Sequence, residues 1–209
     1  LETLKNEKNE KEQKYYELSK KLSAIRKSVA KNLEVTIHEQ LEDLNMSNAK
    51  FRFKFEFLEQ DVVNSKGIDD VEFMMTTNVG EDFKPLAKIA SGGEISRIML
   101  ALKVVFSTVD NISVLIFDEI DTGISGETVK RVADKLKELS GKVQVICVTH
   151  SPQIAGKARQ QFFIKKEVEN NVTETKVREL TQEERIKEVA RIISGDKITE
   201  ASITHAKEI

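Results

Sequence analysis

The sequence predicts an α/β chain with a largely parallel core sheet and helices, an antiparallel β-hairpin, and a long amino-terminal coiled-coil helix. Three observations carry this. Residues 1–45 contain neither Gly nor Pro, and Leu18, Leu22, Ile25, Val29, Leu33, Ile37, Leu41 and Leu44 step by three or four, the spacing of a coiled-coil seam. The short runs Val114–Phe117 and 143–148 are separated by a helical stretch, the order of a β-α-β unit with parallel strands. Phe51, Phe53, Phe55 and Phe57 alternate with Arg52, Lys54 and Glu56, the period of two that marks a strand.

Taken in order, the long helix divides from the rest near residue 45, giving an arm over 1–45 and a lobe over 46–209. From Lys5 to Lys14 no apolar residue occurs, so that end is expected to be solvated when no partner helix is present. Nine Lys/Arg against five Asp/Glu between Leu1 and Lys31 make a mild positive bias that a solvated coiled-coil face explains. The four phenylalanines read as core packing rather than as a stacking platform for single-stranded nucleic acid. A turn through Lys66-Gly67-Ile68-Asp69-Asp70 leads to an antiparallel partner strand over 71–77, and 80–86, with Pro85, reads as a loop. Ile95, Ile98, Met99, Leu102, Val105 and Phe106 follow a helical period.

The apolar run Val114–Phe117 is expected to be a strand buried on both faces of a sheet. Glu127–Ser140 turns Val129, Val132, Ala133, Leu136 and Leu139 inward and stops near Gly141. Residues 143–148 form the second strand, 162–168 and 172–180 a hairpin about Asn170-Asn171, and 181–193 and 199–209 two terminal helices broken at Ser194-Gly195. Cys147 reads as a small core residue, and His38 and His205 have no evident partners.

The chemistry concentrates between residues 89 and 150. Asp118-Glu119 stand at the carboxyl end of the first apolar strand, where open α/β sheets bind ligands. One such carboxylate suits Mg²⁺, which takes oxygen ligands and keeps company with phosphates. The next residue along the strand points elsewhere, leaving Glu119 to orient or deprotonate a water in phosphoryl transfer. Ser91-Gly92-Gly93 precedes a helix, so its backbone N–H groups can approach an anion closely, although Ser91 could equally be a helix cap with nothing bound. His150 follows the second strand and so falls on the same sheet edge as Asp118 and Glu119.

Composition bounds the classes. A chain of 209 residues with net charge −2 advertises no overall affinity for nucleic acid. One cysteine excludes an internal disulfide, which agrees with a reducing cytoplasm, and no stretch approaches 18 apolar residues or resembles a signal peptide, so no membrane partner is expected. The first residue is Leu1 rather than Met, so the chain is read as a piece of something longer.

The stretch from Lys88 to Lys103, containing Ala90-Ser91-Gly92-Gly93-Glu94-Ile95-Ser96-Arg97, resembles the ABC signature as it stands in the RecN family of bacterial SMC-like DNA repair ATPases. Ile116-Phe117-Asp118-Glu119-Ile120-Asp121-Thr122-Gly123-Ile124-Ser125-Gly126 is similar to that family's Walker B and D-loop, and Val148-Thr149-His150-Ser151-Pro152-Gln153-Ile154-Ala155 to its switch-histidine segment. The resemblance runs from about Phe51 to the carboxyl end and implies an ABC-type ATPase head using ATP and Mg²⁺. It implies that Asp118 holds Mg²⁺, Glu119 is the base, and His150 contacts the γ-phosphate. Ser91, Gly92, Gly93 and Glu94 would cap the nucleotide of an opposing head, and Asp121 would communicate across the dimer. Arg97 either lines that interface or makes a helix-surface ion pair.

A phosphate-cradling loop needs G-x-x-x-x-G-K-[ST]. The Gly-Lys pairs Gly141-Lys142 and Gly156-Lys157 are followed by Val143 and Ala158, with Leu136 and Ser151 where the first glycine belongs, so neither fits. The resemblance places Walker A in the other sequence half of the head, before the coiled coil. The implied partners are therefore that amino-terminal half, a second copy of the head, and double-stranded DNA or DNA ends in break repair and recombination. Another SMC-like or RecF-like head, or a non-hydrolysing dimerisation scaffold, are the competing readings.

Overall fold

A computed structural model describes residues 1–57, 64–89, 92–107, 109, 111–169 and 172–209. The chain forms two compact units, Leu1–Ala90 and Ser91–Ile209.

In the first unit α1 (Glu2–Asp43) is followed by β1 (Lys50–Phe57), β2 (Asp69–Thr76), β3 (Lys84–Pro85) and a single 3₁₀ turn, Leu86–Lys88. The sheet order is β1-β2-β3, antiparallel throughout, with Phe51 opposite Met75 and Phe53 opposite Phe73. The loop expected over 80–86 thus contains a short edge strand, a position where proline is tolerated. The carboxyl third of α1 buries Ile37 and Leu41, and Leu44 just beyond it, Phe51 and Met75 are buried in the same unit. Phe51, Phe53 and Phe73 meet edge-to-face with ring centroids 5.1–5.7 Å apart. Side chains of α1 also occupy the open edge of β1. The Phe51 N–H donates to His38 Nε2 at 2.8 Å and the Phe53 N–H to Glu34 Oε1 at 2.8 Å. His38 therefore has a structural task that the sequence does not announce: it satisfies an edge-strand amide.

Farther up α1, the buried Asp69 carboxylate accepts from Ser23 Oγ at 2.6 Å and from Arg26 at 3.1 Å, while Gly67 (φ +90°) turns the loop against Leu22. Leu18, Ile25 and Val29 are about half or more exposed. The heptad stripe is present, and among the described residues its carboxyl end is the part that is covered.

The second unit contains α2 (Gly92–Phe106), β4 (Val114–Phe117), α3 (Glu127–Ser140), β5 (Gln144–Cys147), α4 (Pro152–Lys157), β6 (Phe162–Glu169), β7 (Val172–Glu179), α5 (Gln182–Ser194) and α6 (Glu200–Glu208). β4 and β5 pair in parallel, Val114 opposite Gln144 and Phe117 opposite Cys147. Ile98, Leu100, Ala101 and Leu102 of α2 and Val129, Val132, Ala133, Leu136 and Leu139 of α3 form the core. The expectation that β4 is buried on both faces fails: Ile116 is 70% exposed, and Val114, Ile146 and Val148 are also open. The side chains on the other face, from Leu115, Phe117, Val145 and Cys147, are buried or half-buried. A βαβ crossover places its helix on one face of the sheet, and among the described residues no element closes the other.

β6 and β7 form the expected hairpin, Phe162 opposite Glu179 and Val168 opposite Thr173; its turn at Asn170-Asn171 lies outside the described residues. α5 and α6 each begin with a capping box, on Thr181 with Glu184 and on Thr199 with Ser202, and Gly195 (φ +73°) breaks the chain between them. Val189, Ala190 and Ala206 form their shared core, against which Ala155 of α4 packs.

Candidate active site

Parallel pairing decides which residues share a rim. β4 runs out at Phe117 into Asp118 and Glu119, β5 at Cys147 into Val148, Thr149 and His150, and the Val148 N–H still donates to the Phe117 carbonyl at 2.9 Å. Asp118, Glu119 and His150 consequently emerge at the same carboxyl edge, all three exposed. The Asp118 carboxylate accepts from the Glu119 N–H at 2.9 Å, and its carbonyl accepts from Ser96 Oγ at 2.8 Å, tying the strand end to α2.

Glu119 has φ +56°, a left-handed conformation that costs a non-glycine residue about 1–3 kcal/mol and is retained chiefly at functional sites. That turn carries its carboxylate to Gly92: a Cβ on Gly92 would stand 2.7 Å from Glu119 Oε2. Gly93 is buried, and a Cβ there would stand 2.9 Å from the Thr122 carbonyl and 3.2 Å from the Glu119 carbonyl. The two glycines therefore do different things. Gly92 is exposed and leaves room for the glutamate, whereas Gly93 lets α2 press against the loop after β4. Glu94 is half-exposed beside them, and Ser91 lies outside the described residues.

Among the described residues Arg97 makes no helix-surface ion pair. It is buried, and its Nη1 donates to the Thr122 carbonyl at 2.9 Å and reaches the Ile120 carbonyl at 3.5 Å. Burial holds its guanidinium below the usual arginine range, against the opposing pull of Glu94. Asp121, between those two carbonyls, is turned inward. Its Oδ2 accepts from Thr149 Oγ1 at 2.5 Å and from the His150 N–H at 3.1 Å, with His150 Nδ1 at 3.5 Å. Ser151 caps α4, its hydroxyl accepting from the Ile154 N–H, and Pro152 occupies the first turn. The Ser-Pro pair was a readable helix start; the tie between Thr149 and Asp121, 28 residues apart, had no sequence signal.

Among the described residues no three His, Cys, Asp or Glu side chains cluster as a self-sufficient metal site. Asp118 and Glu119 both offer solvent-facing carboxylates at the rim, hard oxygen donors of the kind that Mg²⁺ delivered with phosphates takes. Cys147 takes no part in such chemistry. Burial, reinforced by the carboxylates of Asp121 and Asp118, pushes its thiol up to about 12. At pH 8 its reaction with iodoacetamide is expected to be about a thousandfold slower than that of a free cysteine, because thiolate is the reactive form. Alkylation timed by mass spectrometry checks this, and a rate near that of free cysteine would show an unburied thiol.

Known proteins frame this geometry. The chain is 48% identical over 191 residues to the DNA repair protein RecN of Halalkalibacterium halodurans, covering 90% of this chain and 34% of that protein. It is 40% identical over 201 residues to the DNA repair protein RecN of Bacillus subtilis, covering 90% and 35% respectively. The chain thus spans about a third of the length of the curated relatives it matches. Its fold is similar to the Smc head domain with a coiled coil and joint from Pyrococcus yayanosii, with a TM-score of 0.62 at 23% identity over 92% of this chain and 35% of that one. The Smc head domain with an extended coiled coil from Pyrococcus furiosus, solved with the C-terminal domain of ScpA, gives 0.56 at 24% identity over 92% of this chain and 46% of that one. Residues 3–174 match the family described as RecF/RecN/SMC N terminal domain, and the chain belongs to that family.

Proposed function

We propose that this chain is the carboxyl-terminal half of a RecN-like ATPase head that hydrolyses ATP between two heads in DNA double-strand break repair. Residues 1–45 are the returning arm of an antiparallel coiled coil and 46–209 the lobe. The observation that carries the reading is the shared rim: Asp118 and Glu119 after β4, His150 after β5, and an exposed Gly92 against the glutamate. The order of motifs within the chain, signature then Walker B then switch histidine, supports the carboxyl-terminal placement. The open face of β4 and β5 suits packing by an amino-terminal half that carries Walker A.

On this reading Asp118 holds Mg²⁺, which when bound neutralises charge on the phosphates. Glu119 takes a proton from the attacking water, and its left-handed backbone carries the carboxylate to the exposed Gly92. His150 meets the γ-phosphate. Ser91, Gly92, Gly93 and Glu94 present a helix amino end to nucleotide held by the second head, the favourable end for an anion. Asp121 links events at the D-loop to the histidine. The protein acts in the bacterial cytoplasm, on nucleoid DNA.

With no phosphate-cradling loop of its own, this chain alone is expected to turn over no ATP. The test is Mg²⁺-dependent ATP hydrolysis by the complete protein, with and without double-stranded DNA. Hydrolysis stimulated by DNA supports the reading, and none at all would leave a coiled-coil scaffold.

A further inference from the structure

We propose that Thr149 and Asp121 are positioning residues that fix the backbone on both sides of His150, deepening the ATPase reading on which this rests. The His150 imidazole is 81% exposed, and a side chain so placed would ordinarily wander among rotamers. Its backbone cannot. The His150 N–H donates to Asp121 Oδ2 at 3.1 Å, and the next amide, of Ser151, donates to Thr149 Oγ1 at 2.9 Å. The Thr149 hydroxyl closes the circuit by donating its own proton to Asp121 Oδ2 at 2.5 Å. One hydroxyl thus works in both directions, and only a residue with both a donor and an acceptor can do so.

The anchor is itself anchored. Asp121 is buried, and the carbonyls of its two neighbours, Ile120 and Thr122, face the buried guanidinium of Arg97 on α2. A proton on His150 Nδ1 would face Asp121 Oδ2 at 3.5 Å, leaving Nε2 directed outward. The signature helix, the loop after β4 and the switch histidine are therefore joined in one chain of contacts within a single head. A purely structural role is the alternative: a buried carboxylate needs donors, and Thr149 and His150 supply them. The two roles part on kinetics. Contacts that only stabilise the fold should lower stability without a selective change in kcat. Contacts that hold a γ-phosphate ligand should lower kcat, because misplacement of about 1 Å can cost about a hundredfold.

The test compares Thr149→Val, Thr149→Ala and Thr149→Ser in the complete ATPase, measuring kcat, KM for ATP and Tm. Val and Ala are expected to lower kcat about 10- to 100-fold with KM within about twofold, and Ser, which keeps the hydroxyl, to restore it. ATP binding with unchanged affinity shows that each variant is folded, and Ala decides the matter where Val crowds the site. A kcat within about twofold of the parent for a folded Val or Ala variant overturns the proposal. Failure of the underlying reading looks different: the unsubstituted protein then shows no hydrolysis, or Glu119→Gln hydrolyses as fast as the parent.

Discussion

Glu119→Gln in the complete protein is expected to cut steady-state ATP hydrolysis by about 10²–10⁴-fold, the usual contribution of general-base assistance, while nucleotide stays bound. The amide matches the carboxylate in size, so it fits the same space against Gly92, where even a methyl-sized group would stand 2.7 Å away. Both side chains carry the same backbone penalty at φ +56°. What changes is the ability to accept a proton, which isolates chemistry from fold. Because hydrolysis ends the ATP-bound state, the variant should accumulate heads with trapped ATP, read as nucleotide retained after rapid gel filtration. Turnover at the parental rate would remove Glu119 from its assigned role.

Gly93→Ala is expected to destabilise the second unit by overpacking against backbone. The added carbon would meet the Thr122 carbonyl at 2.9 Å, the Glu119 carbonyl at 3.2 Å and the Thr122 Cβ at 3.2 Å. Two of those neighbours are backbone, held by the Arg97 guanidinium and by the Thr122 N–H donating to the Glu119 carbonyl, so they cannot swing aside as a side-chain tip would. Overpacking of this kind costs about 1–3 kcal/mol, a fall in Tm of several degrees for a domain of this size. Moving α2 off the loop also moves Glu119, so hydrolysis should fall further than stability does. Gly92→Ala provides the contrast, since its methyl meets only the mobile end of Glu119 and should leave Tm nearly unchanged while displacing the carboxylate. Equal melting behaviour of Gly93→Ala and the parent would mean that the helix does not press on the loop as described.

Much of this was legible in the sequence because the signals were local. Heptad spacing located α1, alternation of phenylalanine located β1, and two apolar runs around an amphipathic stretch gave β4, α3 and β5 with the correct parallel sense. The rim followed from that topology alone, since both strands must end on the same side. What escaped were contacts between residues far apart in the chain. His38 looked idle because its partner is an amide 13 residues away on another element, and Arg97 looked like a surface cation because periodicity cannot reveal a guanidinium folded back onto carbonyls. The burial of β4 was misjudged for a different reason. An apolar run reports what a strand is built to contact, and Ile116 and Ile146 carry side chains for a neighbour that none of the described residues supplies.

The assignment of one rim and one glycine turn to two different heads is tested most directly by mixing two complete proteins, one Glu119→Gln and the other Ser91→Arg. Each alone should be inactive, one lacking the base and the other the turn that meets its neighbour's nucleotide. Exchange of subunits creates heads in which an intact Glu119 faces an intact Ser91, and ATP hydrolysis should return. Continued silence in mixtures shown to have exchanged subunits would mean that the glycine turn serves its own head, and the division of the site between two heads would be wrong.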